Sequence, residues 1–200
     1  MTGLSALTRY EDATPEVREI YDEIRQTLGV DELPHWVLAF GGHARLLRGN
    51  WEKVRWTLVE SDLPPLLREL ILFAVSIQRG SKYCSACHAH AALQVDKSLS
   101  YEDLRGLSEA GTYNGLPESF RVAIDTAVKA ATDPATVGEA EFTALTEQGF
   151  CRQEIGEVLA HADLAVMFNT ITMTYDLPVD EAYHAVQGQV TTPQIGGEDV

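Results

Sequence analysis

Apolar residues along this chain recur at three- and four-residue intervals, the period of an amphipathic helix. Val17, Ile20, Tyr21, Ile24 and Leu28 form the first such stripe. Thr14-Pro15-Glu16 opens it with a capping hydroxyl, a proline at the first helical position and an acid at the positive helix end, and Gly29 stops it. Residues 34–40 form a short apolar piece ending at Gly41-Gly42. The next helix is predicted over 43–59, with Leu46, Leu47, Trp51, Val54 and Leu58 on one stripe. Asp62-Leu63-Pro64-Pro65 introduces a helix over 66–78 that is apolar nearly all round after Glu69 and is therefore expected to be buried. Gly80 or the residues just after it interrupt it.

Further helices follow at about 84–95, from Ser100 to about Gly111, over 117–131, from Thr136 to Gly149, and over about 152–175, with a short one at 179–186. Ser100–Asp103 and Thr136–Glu139 both read as capping boxes. No alternating strand pattern competes, so the expected class is all-α, a multi-helix bundle. One domain over 1–200 is expected, with its core at about 14–185, because no linker-like stretch divides the chain. Leu66-Leu-Arg-Glu69-Leu-Ile-Leu-Phe-Ala also resembles Glu154-Ile-Gly-Glu157-Val-Leu-Ala-His-Ala, a faint internal repeat of two long apolar helices with a glutamate at the same step.

Composition changes this picture in three ways. The net charge of -15 argues against a nucleic-acid partner, which needs a basic face. No twenty-residue apolar run is present, so no membrane span is expected, and the N-terminus carries no signal-peptide pattern. The expected location is therefore cytoplasmic. Three cysteines, two of them a close pair, are too few for a secreted disulfide framework and fit a redox or metal role in a reducing compartment.

The close pair lies in Cys84-Ser-Ala-Cys87-His88-Ala-His90. At about 100° per residue, Cys87 falls about 60° to one side of Cys84, His88 about 40° to the other, and His90 about 120° away on the Cys87 side. Each thiol thus has a candidate imidazole, His88 for Cys84 and His90 for Cys87. Together with the helix N-terminus these are expected to lower a thiol pKa below about 8.5, the free value. Two cysteines with their own acid/base groups suit a redox dithiol. A metal site is the competing reading, with Cys151 and His161 as the distant donors, and two buried cysteines beside surface histidines is the plainest one. Glu69 heads its apolar run at a desolvation cost unless it is exposed in the first turn or meets a partner, and the dithiol histidine is the candidate. Cys151 reads as a cap or packing residue, His161 as a core histidine or a pocket wall, His35 and His43 as loop or packing residues. Trp51 and Trp56 read as core or subunit-contact aromatics.

On Leu63-Pro-Pro-Leu-Leu-Arg-Glu69-Leu and Cys84-Ser-Ala-Cys87-His-Ala-His90, the chain resembles the carboxymuconolactone decarboxylase-like superfamily, and within it the alkyl hydroperoxidase D and peroxidase-related branch. Asp133-Pro134, Glu147–Phe150 with Glu154-Ile155, and Phe168-Asn169 leading to Leu177-Pro178 extend the likeness over about 14–185. The resemblance implies an all-helical homo-oligomer (dimer, trimer or hexamer) that reduces a hydroperoxide or other small molecule through a dithiol/disulfide cycle. It implies Cys87 as the peroxidatic thiol, Cys84 as the resolving thiol, and Glu69 with His90 as proton relay. In the family the relay histidine most often follows the second cysteine by four residues, a position Ala91 holds here, so His90 stands in for it and His88 is the other option. Glu69 precedes Cys84 by fifteen positions, about three more than in the family, with the surplus at 79–83. Such a cycle takes its electrons from a dithiol reductant protein, in some cases a lipoylated one, and calls for no cofactor and no metal. Two other readings belong to this scaffold. One is a pathway enzyme acting on a small organic acid, metal-dependent in some forms. The other is a redox-sensing protein that does not turn over.

Overall fold

The computed structural model describes residues 6–190, so the parts of the 1–200 unit at 1–5 and 191–200 lie outside the described residues. Among the described residues the regular elements are all helical. α1 (Pro15–Leu28), α2 (His35–Ala39) and α3 (Ala44–Val54) come first, and α3 continues as a π-helical turn, Arg55–Val59. α4 (Pro65–Gln78), α5 (Lys82–Val95), α6 (Tyr101–Ala110), α7 (Glu118–Thr132), α8 (Glu139–Glu147) and α9 (Arg152–Thr174) follow. A C-terminal strap then carries a 3-10 turn, Glu181–Tyr183, and α10 (His184–Gln187).

The caps explain most boundaries. The Thr14 hydroxyl accepts from the Val17 N–H, and Ser100 and Asp103 cap α6 reciprocally, as their spacing predicts. α8 departs from expectation. It begins at Glu139, and the Gly138 N–H donates to the Glu141 carboxylate at 2.9 Å, so the Thr136–Glu139 pair is not the cap. α3 ends its regular turn at Val54, which leaves Trp56 62% exposed while Trp51 is fully buried.

The core is one contiguous cluster of apolar side chains centred on α4, of which Leu67 and every residue from Leu70 to Ile77 is buried. α4 and α5 form a tight hairpin, and α9 packs on both while α7 packs on α4 and α9. The hairpin turn is a Schellman closure. Gly80 takes the left-handed conformation (φ 74°) and donates to Ile77 O, and the Ser81 N–H donates to Ser76 O at 2.9 Å. Ser81 is then at once the N-cap of α5, its hydroxyl accepting from the Cys84 N–H at 3.4 Å. α5 therefore starts at Lys82, two residues earlier than predicted from the position of the cysteines. The extra residues between Glu69 and Cys84 are absorbed by this turn and by the first two positions of the helix.

Candidate active site

Early capping by Ser81 places Cys84 in the first turn of α5 and Cys87 in the second. The partial positive charge of the helix N-terminus fades within that first turn, so it acts mainly on Cys84. Cys84 is buried, and its sulfur lies 3.5 Å from the Thr172 hydroxyl of α9, which is itself 3.2 Å from Ser81 Oγ. Cys87 is half-buried, and both cysteines are free thiols.

Glu69 and His88 meet where α4 crosses α5. Glu69 Oε2 lies 2.8 Å from His88 Nδ1, and both side chains are largely enclosed, at 15% and 16% exposure. Glu69 is thus not a free first-turn acid; a hydrogen-bonded partner offsets the cost of enclosing its charge. The partner is His88 rather than His90. The His90 ring packs instead on Tyr183, at 5.3 Å between centroids. Counted from this pair, Cys84 stands four residues before the paired histidine and Ser81 three before Cys84. In that register the surplus at 79–83 and the mismatch at Ala91 both disappear, and Cys84 takes the position of the second cysteine while Ser81 takes that of the first.

The expected lowering of thiol pKa is not what the surroundings produce. Burial pushes both thiols above the ordinary cysteine value, and for Cys87 the negative charge of Glu69 adds to the effect. Opposing hydrogen bonds favour the thiolates, from Thr172 and Ser81 to Cys84 and from the Tyr183 hydroxyl to Cys87. Desolvation outweighs the dipole and hydrogen-bond contributions because both sulfurs sit among packed helices. His90 is shifted down, first by burial and then by Lys97, and is the neutral imidazole near pH 7.

A cluster that sequence reasoning missed comes from the strap. Asp180 accepts from the His35 N–H at 2.9 Å and from the Tyr83 hydroxyl at 2.5 Å, while Tyr83 Oη also receives the Trp36 N–H. His35 Nδ1 lies 2.8 Å from Pro178 O. These bonds tie the strap to the start of α2 and to α5, and three residues past Asp180 the chain packs Tyr183 against His90 of α5. Tyr183 also lines an open groove with Tyr10, His35, His90, Asp180 and His184. An isolated tyrosine almost a hundred residues from the cysteines carries no local signal; only the path of the strap brings it there.

The remaining candidates fall elsewhere. Cys151 is the exposed N-cap residue of α9, its N–H donating to Glu154 at 2.7 Å. His161 is fully buried, with Nδ1 2.8 Å from Glu157 O and Nε2 without a partner, and burial shifts its pKa down. His43 is exposed at the start of α3. Among the described residues no three His, Cys, Asp or Glu side chains are grouped to hold a metal ion. None of the described helices is long and apolar enough to cross a membrane.

Comparison with known proteins agrees with this architecture. Residues 43–100, which span α3 to the start of α6, match the model of the carboxymuconolactone decarboxylase family. The fold superposes on an uncharacterized peroxidase-related protein from Ralstonia eutropha JMP134, described as an alkylhydroperoxidase AhpD core. The TM-score is 0.80 at 18% identity, covering 91% of this chain and 94% of that one. A peroxidase-related protein from Silicibacter sp. TM1040 gives 0.75 at 23% identity, covering 92% and 95%. The debrominase Bmp8, solved as a cysteine-to-alanine variant with 2,3,4-tribromopyrrole, gives 0.78 at 20% identity, covering 96% and 99%. At these identities the likeness is one of fold. A search of curated proteins by sequence found no match.

Proposed function

We propose that this chain, carboxymuconolactone decarboxylase-like and built on the alkylhydroperoxidase D fold, is a dithiol peroxidase-like oxidoreductase with an antioxidant role. The observation that carries the reading is the enclosed Glu69–His88 pair at 2.8 Å on the helix that bears Cys84 and Cys87. A carboxylate holding one imidazole nitrogen leaves the other free to take a thiol proton, which is the role of a general base.

Exposure assigns Cys87 as the sulfur that meets the peroxide, since it is half-buried while Cys84 is closed off against Thr172, whereas the register counted from Glu69–His88 gives that position to Cys84. The Cys87 proton passes to His88, held by Glu69, and the thiolate attacks one peroxide oxygen. The O–O bond breaks, an S–O bond forms, and the alcohol or water leaves with a proton from the relay. Sulfur is oxidised by two electrons and the peroxide reduced by two. Cys84 then attacks the Cys87 sulfenic acid, releasing water and forming the Cys84–Cys87 disulfide. A dithiol reductant protein restores both thiols by exchange. His90 acts beside this relay, as the neutral ring against Tyr183. Cytoplasmic location suits such a cycle, since the reductant pool there keeps thiols reduced. The chain works as a homo-oligomer (dimer, trimer or hexamer) in this reading, and exposed Leu46 and Trp56 along α3 and its π turn offer apolar surface for contact.

The test is peroxide consumption by pre-reduced protein without added reductant. One peroxide is consumed per chain, two thiols are lost, and Cys87→Ser abolishes both. Sulfenate trapping assigns the roles: Cys84→Ser should accumulate a trapped sulfenate at Cys87. If Cys87→Ser retains a trappable sulfenate and Cys84→Ser loses it, the two sulfurs exchange roles. If no peroxide is consumed by the wild-type protein, the reading fails.

A further inference from the structure

Cys84 ends a buried chain of hydroxyls that joins α5 to α9. Ser81, Thr172 and Cys84 are only 0%, 2% and 3% exposed, so the chain is nearly closed to water. Ser81 Oγ lies 3.2 Å from Thr172 Oγ1, which lies 3.5 Å from Cys84 Sγ. Each hydroxyl has one hydrogen to give, which orders these bonds. Ser81 Oγ accepts from the Cys84 N–H at 3.4 Å, and its own hydrogen is then free to reach Thr172 Oγ1. For its hydrogen Thr172 has two acceptors, the Asn169 carbonyl at 3.4 Å and the Cys84 sulfur. Asn169 O lies inside α9, where the backbone ladder supplies it a donor from the next turn, so it does not depend on the hydroxyl.

We propose that Thr172 is a catalytic residue of the dithiol site, its hydroxyl turning from the Asn169 carbonyl to the Cys84 sulfur as that thiol ionises and holding the thiolate there. In the thiol state the Cys84 S–H donates to Thr172 Oγ1, and Thr172 donates to Asn169 O. Once the proton leaves, sulfur is an acceptor only. One rotation of the hydroxyl then gives the anion a charge-assisted bond, stronger than the neutral bond it replaces, and no helix has to move. Burial raises the Cys84 pKa, and the Thr172 and Ser81 hydroxyls pull it back. The charged neighbours are engaged elsewhere. Glu69 of α4 is bonded to His88 of α5, and Arg79 at the end of α4 reaches Thr170. Asp180 of the strap takes the Tyr83 hydroxyl, and His184 of α10 lies 3.0 Å from Val179 O. From α9 come Asn169 and Thr172, which do not titrate. Cys87 shares the helix, and a charge on Cys84 raises its pKa. In the proposed cycle the step served is closure of the disulfide. The Cys84 thiolate attacks the Cys87 sulfenic sulfur, the S–S bond forms and the S–O bond breaks. The departing hydroxide takes up the proton that Cys84 gave and leaves as water.

This inference deepens the dithiol reading and rests on it for the word catalytic, but its first test does not require peroxide. Alkylation by iodoacetamide is followed from about pH 6 to about pH 11 in the full-length protein, with fragment-ion mass spectrometry separating Cys84 from Cys87. Thr172→Val keeps the shape and removes the donor, and the Cys84 profile moves up by about one pH unit, roughly tenfold less thiolate at a fixed pH. Thr172→Ser keeps the hydroxyl and holds the profile near that of the wild type. Thr172→Ala removes the same donor and serves if the valine variant does not fold. An unchanged Cys84 profile without the hydroxyl overturns the assignment, and so does a serine variant that shifts as far as the valine one. After a pulse of peroxide, loss of the hydroxyl slows disulfide formation by about the same factor. Disulfide forming at the wild-type rate removes Thr172 from the cycle. A shifted profile in a protein that consumes no peroxide supports the hydroxyl contact and sinks the peroxidase reading instead.

Discussion

α4 and α9 are the two long apolar helices of the internal repeat, and their matched glutamates do different work. Glu69 on α4 meets His88, a group that can gain and lose a proton. Glu157 on α9 accepts from the Ser61 hydroxyl at 2.5 Å and from the Asp62 and Leu63 N–H groups at 2.9 and 3.3 Å. Those donors lie just before Pro65, so Glu157 fastens the entry of α4 to α9. Backbone amides hold a carboxylate but do not exchange protons with it at working pH. The same residue at the same helical step therefore meets an ionisable side chain in one helix, where the proposed cycle uses it as a relay member, and clamps a backbone segment in the other. Four residues on, the pattern inverts. Phe73 on α4 is plain core, while His161 on α9 is a buried imidazole with one free nitrogen.

The strongest way to break this comparison is to neutralise each carboxylate in turn. Glu69→Gln should lower peroxide consumption by about a hundredfold or more, since a positioned general base contributes on that order. The same change should speed Cys87 alkylation at fixed pH, because the Glu69 charge holds that thiol's pKa up. Opposite movement of the two rates separates a lost relay from a disturbed fold. If Glu157→Gln impairs turnover as much, the division between relay and clamp is wrong.

Glu157→Ala should act on stability, by about 2 kcal/mol, because it leaves the donors of the 61–63 segment without their shared acceptor. Urea unfolding gives the number, and a loss under about 0.5 kcal/mol would remove Glu157 from the clamp. Ser81→Ala comes next, at about 1 kcal/mol for a lost N-cap. Because Ser81 also sets where α5 begins, it should change the ratio of Cys84 to Cys87 alkylation, read on the same protein.

The smallest effect concerns His161. Burial lowers its folded-state pKa below the unfolded value of about 6.5, so the unfolded chain binds the proton more readily. Stability attributable to the neutral ring is then complete above about pH 6.5 and is lost as pH falls through the folded pKa. His161→Phe, which copies Phe73, should flatten the stability profile between about pH 6.5 and pH 5. An unaltered slope would mean that other groups carry the acid sensitivity.

The helices were legible because each is announced locally, by a cap such as Thr14 or Ser100 and by an apolar stripe. Where the reading failed, a second segment decided. Ser81 was not recognised as a cap because it belongs equally to the turn that ends α4, and this hid the true start of α5. The Thr136 cap lost to Glu141, which satisfies the Gly138 N–H. Glu69 was identifiable because a carboxylate leading an apolar run needs a partner. The partner's identity was not identifiable, since His88 and His90 are equally near in sequence and differ only in which neighbour each faces.

Sequence alone thus determined the all-helical class, most helix positions, the close cysteine pair and an acid in need of a partner, all features announced within a few residues. The crossing of α4 over α5 chose His88. The path of the strap brought Tyr183 against His90. The packing of both sulfurs raised their pKa values where a helix N-terminus and two imidazoles predicted the reverse. Those outcomes depend on which atoms exclude water from which charge, and that is settled only when separate helices close on one another.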